Sequence, residues 1–110
     1  METKSKVQTF IGFAIRARKY KIGFNACTTL KGANLIVICR SASENTIKQT
    51  LKLARRLNCP TVKTVEKNLS EYVFKDNAKI MAITDKALSQ AIIDNSEQEL
   101  IAVDQENVNG

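Results

Sequence analysis

The chain has 110 residues, 44% of them apolar, and a net charge of +6 at neutral pH, which predicts a single domain with one modest core. No run approaches the ~20 apolar residues that a membrane-spanning helix needs, which argues against a membrane partner. Three cysteines without CxxC spacing and the absence of histidine argue against the usual zinc sites and fit a reducing cytoplasm.

The first predicted elements are a helix, a short extended segment, a short helix and a strand. Apolar residues at helical spacing predict a helix over about residues 4–18. Residues 20–22 form a strand or a connector, and a short helix over residues 25–31 is stopped by Gly32. Residues 35–39 are apolar throughout, which predicts an interior strand of a sheet covered by helices on both faces.

The middle of the chain predicts a long amphipathic helix. Ser41 and Glu44 have the Ser-x-x-Glu spacing of a capping box, and apolar residues follow at helical intervals until Asn58 ends the helix. Pro60 bars its continuation. The opposite face is a row of cations, which either contacts phosphates or, as is commoner, forms a solvated face. These cations are Lys48, Lys52, Arg55 and Arg56.

The remaining elements are shorter. Residues 61–65 predict a strand, 69–74 a short helix, 75–78 a turn and 80–83 a second fully apolar strand. Thr84 or Asp85 caps a last helix, and residues 99–103 either add a short strand or dock on the domain. This alternation predicts an α/β sandwich with helices on both faces of a small sheet.

The charge is distributed unevenly along the chain. Residues 1–93 hold all seventeen Lys and Arg side chains and six acidic ones, a difference of +11, whereas five acidic side chains lie in residues 94–110. A body this basic indicates a polyanionic partner, and the acidic end either covers a basic face or keeps the chain soluble. We therefore expect a basic domain over residues 1–95 and an acidic C-terminal tail over residues 96–110. Because residues 1–17 lack a signal-peptide pattern, we expect a cytoplasmic protein.

No catalytic pattern is present in the sequence. Histidine, the commonest general base, is absent, and the carboxylates show no paired spacing. Glu44 and Asp85 stand at predicted helix starts, where capping explains them better than acid–base chemistry. The four glycines form neither a dinucleotide fingerprint nor a phosphate-binding loop. We therefore expect no enzymatic activity, no cofactor and no metal.

Residues 16–25 have the composition of an RNA-binding surface. Four cations and Tyr20 precede Gly23, which allows close backbone approach, and Asn25, which offers both a donor and an acceptor. The amides of the following helix would face a phosphate or a base edge. Rings near cations stack on unpaired bases when they are exposed, and otherwise belong to the core. The rings in question are Tyr20, Phe24, Tyr72 and Phe74.

The order and spacing of six segments resemble the kink-turn RNA-binding ribosomal proteins of the L-seven-Ae and L-thirty-e type, most closely the small bacterial YlxQ-like branch. The segments are residues 10–19 (FIGFAIRARK), 23–25 (GFN), 35–38 (LIVI), 43–46 (SENT), 58–60 (NCP) and 82–86 (AITDK). The resemblance implies a three-layer α/β/α sandwich with a small mixed sheet. It also implies a non-enzymatic protein that binds sharply bent, structured RNA, such as ribosomal RNA or another kink-turn-like RNA.

The resemblance also implies a site. Archetypal members open the second helix with Gly-x-Asn-Glu and place a lysine one turn later. Here Gly23 and Asn25 match, Ala26 replaces the glutamate, and Thr28 or Thr29 occupies the lysine position. A second RNA-contacting loop maps to about residues 74–78. The expected RNA-binding residues are Lys19, Lys21, Gly23, Phe24, Asn25, Arg40, Lys75 and Asn77.

Two alternatives remain open at this point. The missing glutamate and lysine, together with the added acidic tail, fit a relative that keeps the scaffold and acts as a protein-interaction module in the translation machinery. Related sandwiches also occur as appendages of RNA ribose methyltransferases. For this chain an enzymatic role of that kind would require the catalytic domain of a partner chain.

Overall fold

Five helices and five strands alternate along residues 5–103, the part of the chain that the computed structural model describes. The helices are α1 (Lys6–Arg16), α2 (Phe24–Cys27), α3 (Glu44–Leu57), α4 (Leu69–Val73) and α5 (Lys86–Asp94). The strands are β1 (Tyr20–Ile22), β2 (Leu35–Ile38), β3 (Thr61–Thr64), β4 (Ile80–Ile83) and β5 (Leu100–Ala102).

The strands form one mixed sheet in the order β1-β4-β2-β3-β5. β2 and β3 run parallel, and the other three neighbouring pairs are antiparallel. The parallel pair is joined through α3, because parallel neighbours need a long crossover connection. β2 and β4 lie in the interior of the sheet, and every residue of both strands is buried. Their unbroken apolar sequences follow from cover on both faces.

The two faces of the sheet carry separate cores. Leu35 and Val37 of β2 pack with α1, α4 and α5, whereas Ile36 and Ile38 pack with α2 and α3. This alternation is the two-residue period of a strand. The predicted three-layer α/β/α sandwich with a small mixed sheet is therefore confirmed.

Local capping differs from the prediction at one helix. Ser43, not Ser41, is the N-cap of α3, and its hydroxyl accepts a hydrogen bond from the Thr46 amide at 3.1 Å. The capping box predicted from Ser41 is wrong because a turn at residues 39–42 occupies Ser41 and delays the helix until Glu44, its first residue. Asp85 caps α5 by accepting from the Leu88 amide at 2.8 Å.

The segment after α5 returns to the sheet. β5 pairs with β3, so the two predicted fates of residues 99–103 resolve in favour of an added strand. Glu99 precedes β5 and links it to α4 and to the start of α1. Its Oε1 accepts hydrogen bonds from the hydroxyls of Tyr72 at 2.7 Å and Ser5 at 3.0 Å. Residues 96–103 of the predicted tail are thus part of the fold, and residues 104–110 lie outside the described part, as does the predicted helix residue Lys4.

Within residues 5–103, no helix has the length and apolar character that would let it cross a membrane.

Candidate nucleic-acid interface

One end of the sheet brings together segments that are distant in sequence. Because β4 runs antiparallel to both β1 and β2, its start lies beside the ends of both. The Gly23 amide donates to the Ile80 carbonyl at 3.0 Å, and the Cys39 amide donates to the Lys79 carbonyl at 2.7 Å. The residues that follow β1 and β2 therefore meet the residues that precede β4. We call this surface the Gly23 end of the sheet.

Gly23 turns the chain from β1 into α2. Its backbone lies at φ 96° and ψ 146°, a region that is open essentially only to glycine. A Cβ built at this position meets no atom within 4 Å, so backbone conformation rather than space demands a glycine here. This turn leaves Phe24 partly buried and presents Asn25 to solvent.

The residues after Asn25 offer little of their own to a ligand. The Thr28 hydroxyl donates to the Asn25 carbonyl, and the Thr29 hydroxyl donates to the Ala26 carbonyl, both at 2.6 Å. These bonds satisfy carbonyls at the end of a short helix. The threonines at the expected lysine position therefore donate their hydroxyl protons to backbone carbonyls, and Asn25 is the exposed polar side chain of α2.

A cluster of three side chains that the sequence did not indicate, Cys39, Ser41 and Lys79, lies between the end of β2 and the start of β4. Lys79 Nζ donates to Ser41 Oγ at 2.7 Å, and Ser41 Oγ lies 3.2 Å from Cys39 Sγ. The exposed Arg40 stands beside this cluster, and its amide donates to Thr64 Oγ1 at 2.8 Å. The predicted cation Arg40 thus lies at the Gly23 end of the sheet, where Lys79 adds a second charge.

The cluster also changes the chemistry of Cys39. Burial raises the pKa of this thiol. Hydrogen bonds from Ser41 and from the Leu69 amide, together with the charge of Lys79, lower the pKa by more than burial raises it. The net result is a pKa below the ordinary value for cysteine. With only 1% of its surface exposed, Cys39 is part of the packed base of the surface rather than an accessible nucleophile.

The loop between α4 and β4 supplies the other predicted residues. Lys75 and Asn77 are both exposed, and Asn77 has the left-handed conformation at φ 62°. Asn tolerates this conformation well, which lets the loop turn tightly into β4. The loop contributes cations from Lys75 and Lys79 against one carboxylate, Asp76. It therefore adds net positive charge beside Gly23 and Arg40.

Two predicted cations, Lys19 and Lys21, do not lie among the loops at the Gly23 end of the sheet. The Lys19 carbonyl accepts from the Thr84 amide, which follows the last residue of β4, so Lys19 lies at the opposite end of the sheet from Gly23. Lys21 lies on the edge strand β1, opposite Ala82, and is exposed. It stands two residues from Gly23, whereas Lys19 is separated from that surface by the whole length of β1.

The four rings near cations fall into different environments. Tyr72 is only 2% exposed, so of the two alternatives for this ring the core position is confirmed. Tyr20 and Phe24 are partly buried against opposite cores, and Phe74 is 78% exposed. Phe24, which follows Gly23 directly, is thus the ring at the Gly23 end with surface left for a ligand, whereas Phe74 lines a separate groove with Gly12 and Arg16 of α1.

The cationic row of α3 is exposed, but its members differ. Lys48 pairs with Glu44 at 3.7 Å, the one ion pair that the structure shows within residues 5–103. Arg56 donates to the carbonyls of Thr28 at 2.9 Å and Leu30 at 3.3 Å, which ties α2 to α3. Lys52 and Arg55 have no carboxylate partner in the described chain. Lys48 and Arg56 therefore stabilise the fold, whereas Lys52 and Arg55 have no such partner within residues 5–103.

The described residues show no arrangement of side chains typical of a catalytic site. Glu71 accepts from the Asn68 amide at 2.8 Å at the start of α4, and Asp85 caps α5, so both act on helix termini. No three His, Cys, Asp or Glu side chains within residues 5–103 converge in the way a metal site requires.

Comparisons with known proteins bear on the fold. No protein-family model and no curated protein matches the chain. A solved structure described as a protein with unknown function from Bacillus halodurans C is similar, with a TM-score of 0.73 at 20% sequence identity. The match covers 86% of this chain and 99% of that one. The three-layer architecture is thus found in another protein.

Proposed function

We propose that this protein is a non-enzymatic, cytoplasmic RNA-binding protein that holds a sharply bent, structured RNA at the Gly23 end of the sheet. The observation that carries the proposal is the convergence of the turn at Gly23 and Asn25 with Arg40 and the loop before β4. Three chain segments meet there at the ends of strands, and they carry the exposed amide of Asn25 and three exposed cations, Arg40, Lys75 and Lys79. The resemblance to kink-turn binders selects bent RNA among polyanionic partners.

Each group has a chemical role in this proposal. Asn25 reads a base edge, because its amide both donates and accepts. Arg40 and Lys75 contact phosphates, which sets the register of the RNA without reading its sequence. Gly23 lets the backbone approach closely, since it has no side chain in the way. Because Ala26 has no polar group and the Thr28 hydroxyl donates to the Asn25 carbonyl, we expect Asn25 to carry most of the discrimination made by α2.

The first experiment compares a kink-turn RNA with a straight duplex of matched length over a salt series. We expect tighter binding to the kink-turn. Asn25→Ala should weaken that binding by about five- to hundredfold, the worth of one good base contact. Gln90→Ala is the control, because it removes an exposed side-chain amide from α5 in the opposite layer. Retained affinity in Asn25→Ala would contradict base reading by this residue.

Phosphate contact is tested separately by the salt dependence. Arg40→Gln should reduce the slope of log affinity against log salt by about 0.7–1, one phosphate contact. Lys86→Gln removes the same charge at the opposite end of the sheet and should leave the slope nearly unchanged. Equal affinity for the kink-turn and the duplex, with a steep salt slope, would leave only nonspecific attraction. Absence of binding to either RNA would favour the protein-interaction alternative.

A further inference from the structure

The outer surface between α2 and α3 contains an open groove of about 500 Å³. This volume lies within the ~300–1,000 Å³ of typical small-ligand sites. Only Phe24 of the lining belongs to the predicted RNA site, and it follows Gly23 directly, so the groove continues from the Gly23 end of the sheet. The lining residues are Phe24, Thr28, Gln49, Lys52, Leu53 and Arg56.

The floor of the groove is apolar and its walls are polar and basic. Leu53 is 5% exposed, and Phe24 packs on the same core, so both present a fixed apolar surface. Gln49 supplies an exposed amide that both donates and accepts. Lys52 and Arg56 are the charged lining residues, and no carboxylate within residues 5–103 lines the groove. This combination fits a flat, hydrogen-bonding ring attached to an anion.

One wall of the groove is held in place before any ligand arrives. The guanidinium of Arg56 donates to two carbonyls, those of Thr28 and Leu30, so it bridges α3 to the end of α2. A planar guanidinium used in this way keeps its faces free for stacking. Because the wall is already ordered, a ligand loses less free energy in arranging it.

We propose that this groove binds one unpaired nucleotide of the RNA held at the Gly23 end, with its base against Phe24 and its phosphate beside Lys52. The inference rests on the proposed function and adds a second contact region to it. The charge of the groove selects this occupant, because within residues 5–103 Lys52 has no carboxylate partner and no acidic side chain lines the groove. Stacking on a ring tolerates any base, whereas the Gln49 amide adds preference.

The test replaces each unpaired nucleotide of a kink-turn RNA, one at a time, by an abasic ribose phosphate. This change removes a base and keeps the charge. We expect one of these replacements to weaken binding of the unaltered protein by about five- to hundredfold, the loss expected for one stacked base. In Gln49→Ala and Lys52→Gln this abasic penalty should shrink. Both residues are exposed, so both variants should fold.

Arg55→Gln is the matched control, because it removes one exposed cation from the same helix without touching the groove. It should keep the full abasic penalty. If the intact RNA binds but no abasic replacement weakens binding by more than about twofold, the groove holds no base and RNA binding at Gly23 stands. An undiminished penalty in Gln49→Ala and Lys52→Gln would place the base elsewhere. If the intact RNA does not bind, the proposed function fails, and the groove inference falls with it.

Discussion

The hydrogen bond between Tyr72 and Glu99 should make a measurable contribution to stability. The Tyr72 side chain is 2% exposed, and its hydroxyl donates to Glu99 Oε1 at 2.7 Å. A hydrogen bond to a charged group contributes ~1.5–3 kcal/mol. Glu99 also accepts from Ser5 and borders an open groove of about 330 Å³, so water replaces part of the lost bond. We expect Tyr72→Phe to lower the free energy of unfolding by about 1–2 kcal/mol.

Glu99→Ala provides the second arm of a double-mutant cycle. It leaves the Tyr72 hydroxyl without its acceptor, which should cost about 1–3 kcal/mol. The double variant Tyr72→Phe/Glu99→Ala should cost less than the two single changes added together, by about 1 kcal/mol or more. Urea unfolding at pH 7 measures all four proteins, with a constant dependence on denaturant as the check that unfolding stays two-state. Additivity within ~0.3–0.5 kcal/mol would refute the coupling.

Three other outcomes follow from the structure. Gly12→Ala should stabilise α1 by about 0.5–1 kcal/mol, whereas Gly23→Ala should destabilise the protein by about 1–3 kcal/mol. An added Cβ meets nothing within 4 Å at either position, so the difference comes from the backbone, because only Gly23 has a positive φ, 96°. Thermal unfolding of the two variants tests this, and equal shifts in melting temperature would contradict the argument. Burial, followed by the hydrogen bond to Glu99, raises the pKa of Tyr72, so above pH ~10 the unfolded chain releases a proton that the folded chain keeps. Stability should therefore fall by about 1.4 kcal/mol per pH unit more steeply in the unaltered protein than in Tyr72→Phe, and parallel pH profiles would count against this. Burial, with the neighbouring Cys27, raises the pKa of Cys59 to about 11, so alkylation of native Cys59, followed by mass spectrometry, should accelerate about tenfold per pH unit between pH ~8 and ~10. A rate that does not change with pH would show that access, rather than thiolate formation, limits the reaction.

The layers of the fold could be predicted because their signals are local. β2 and β4 are unbroken apolar runs, and α3 repeats its apolar residues at helical spacing, so burial on both faces of a sheet follows from the residues alone. The start of α3 is not fixed by such a local signal, since Ser41 has the capping-box spacing but Ser43 is the N-cap. A turn formed by residues 39–42 decides between them, and that turn depends on contacts with distant strands.

The candidate site could be predicted only in part, because strand order is not written in any local pattern. Lys19 and Gly23 are four residues apart, but β1 carries them to opposite ends of the sheet. Conversely, Ser41 and Lys79 are far apart in sequence and meet at 2.7 Å because β2 and β4 run antiparallel. A basic residue before one apolar strand and a serine after another are the only sequence signals of that contact. Neither shows that the strands are neighbours.

The position of α2 depends on residues outside the site. A four-residue helix is not stable on its own, because forming the first turn costs the conformational entropy of several dihedral angles and gains one hydrogen bond. Three contacts hold it instead: the Gly23 amide on the Ile80 carbonyl, the fully buried Cys27, and Arg56 on the Thr28 carbonyl. In the proposed function, the position of Asn25 is therefore set by the start of β4 and by α3 together. Loss of Arg56 would then weaken RNA binding through the position of Asn25 as well as through charge, so its effect should exceed that of losing Arg55.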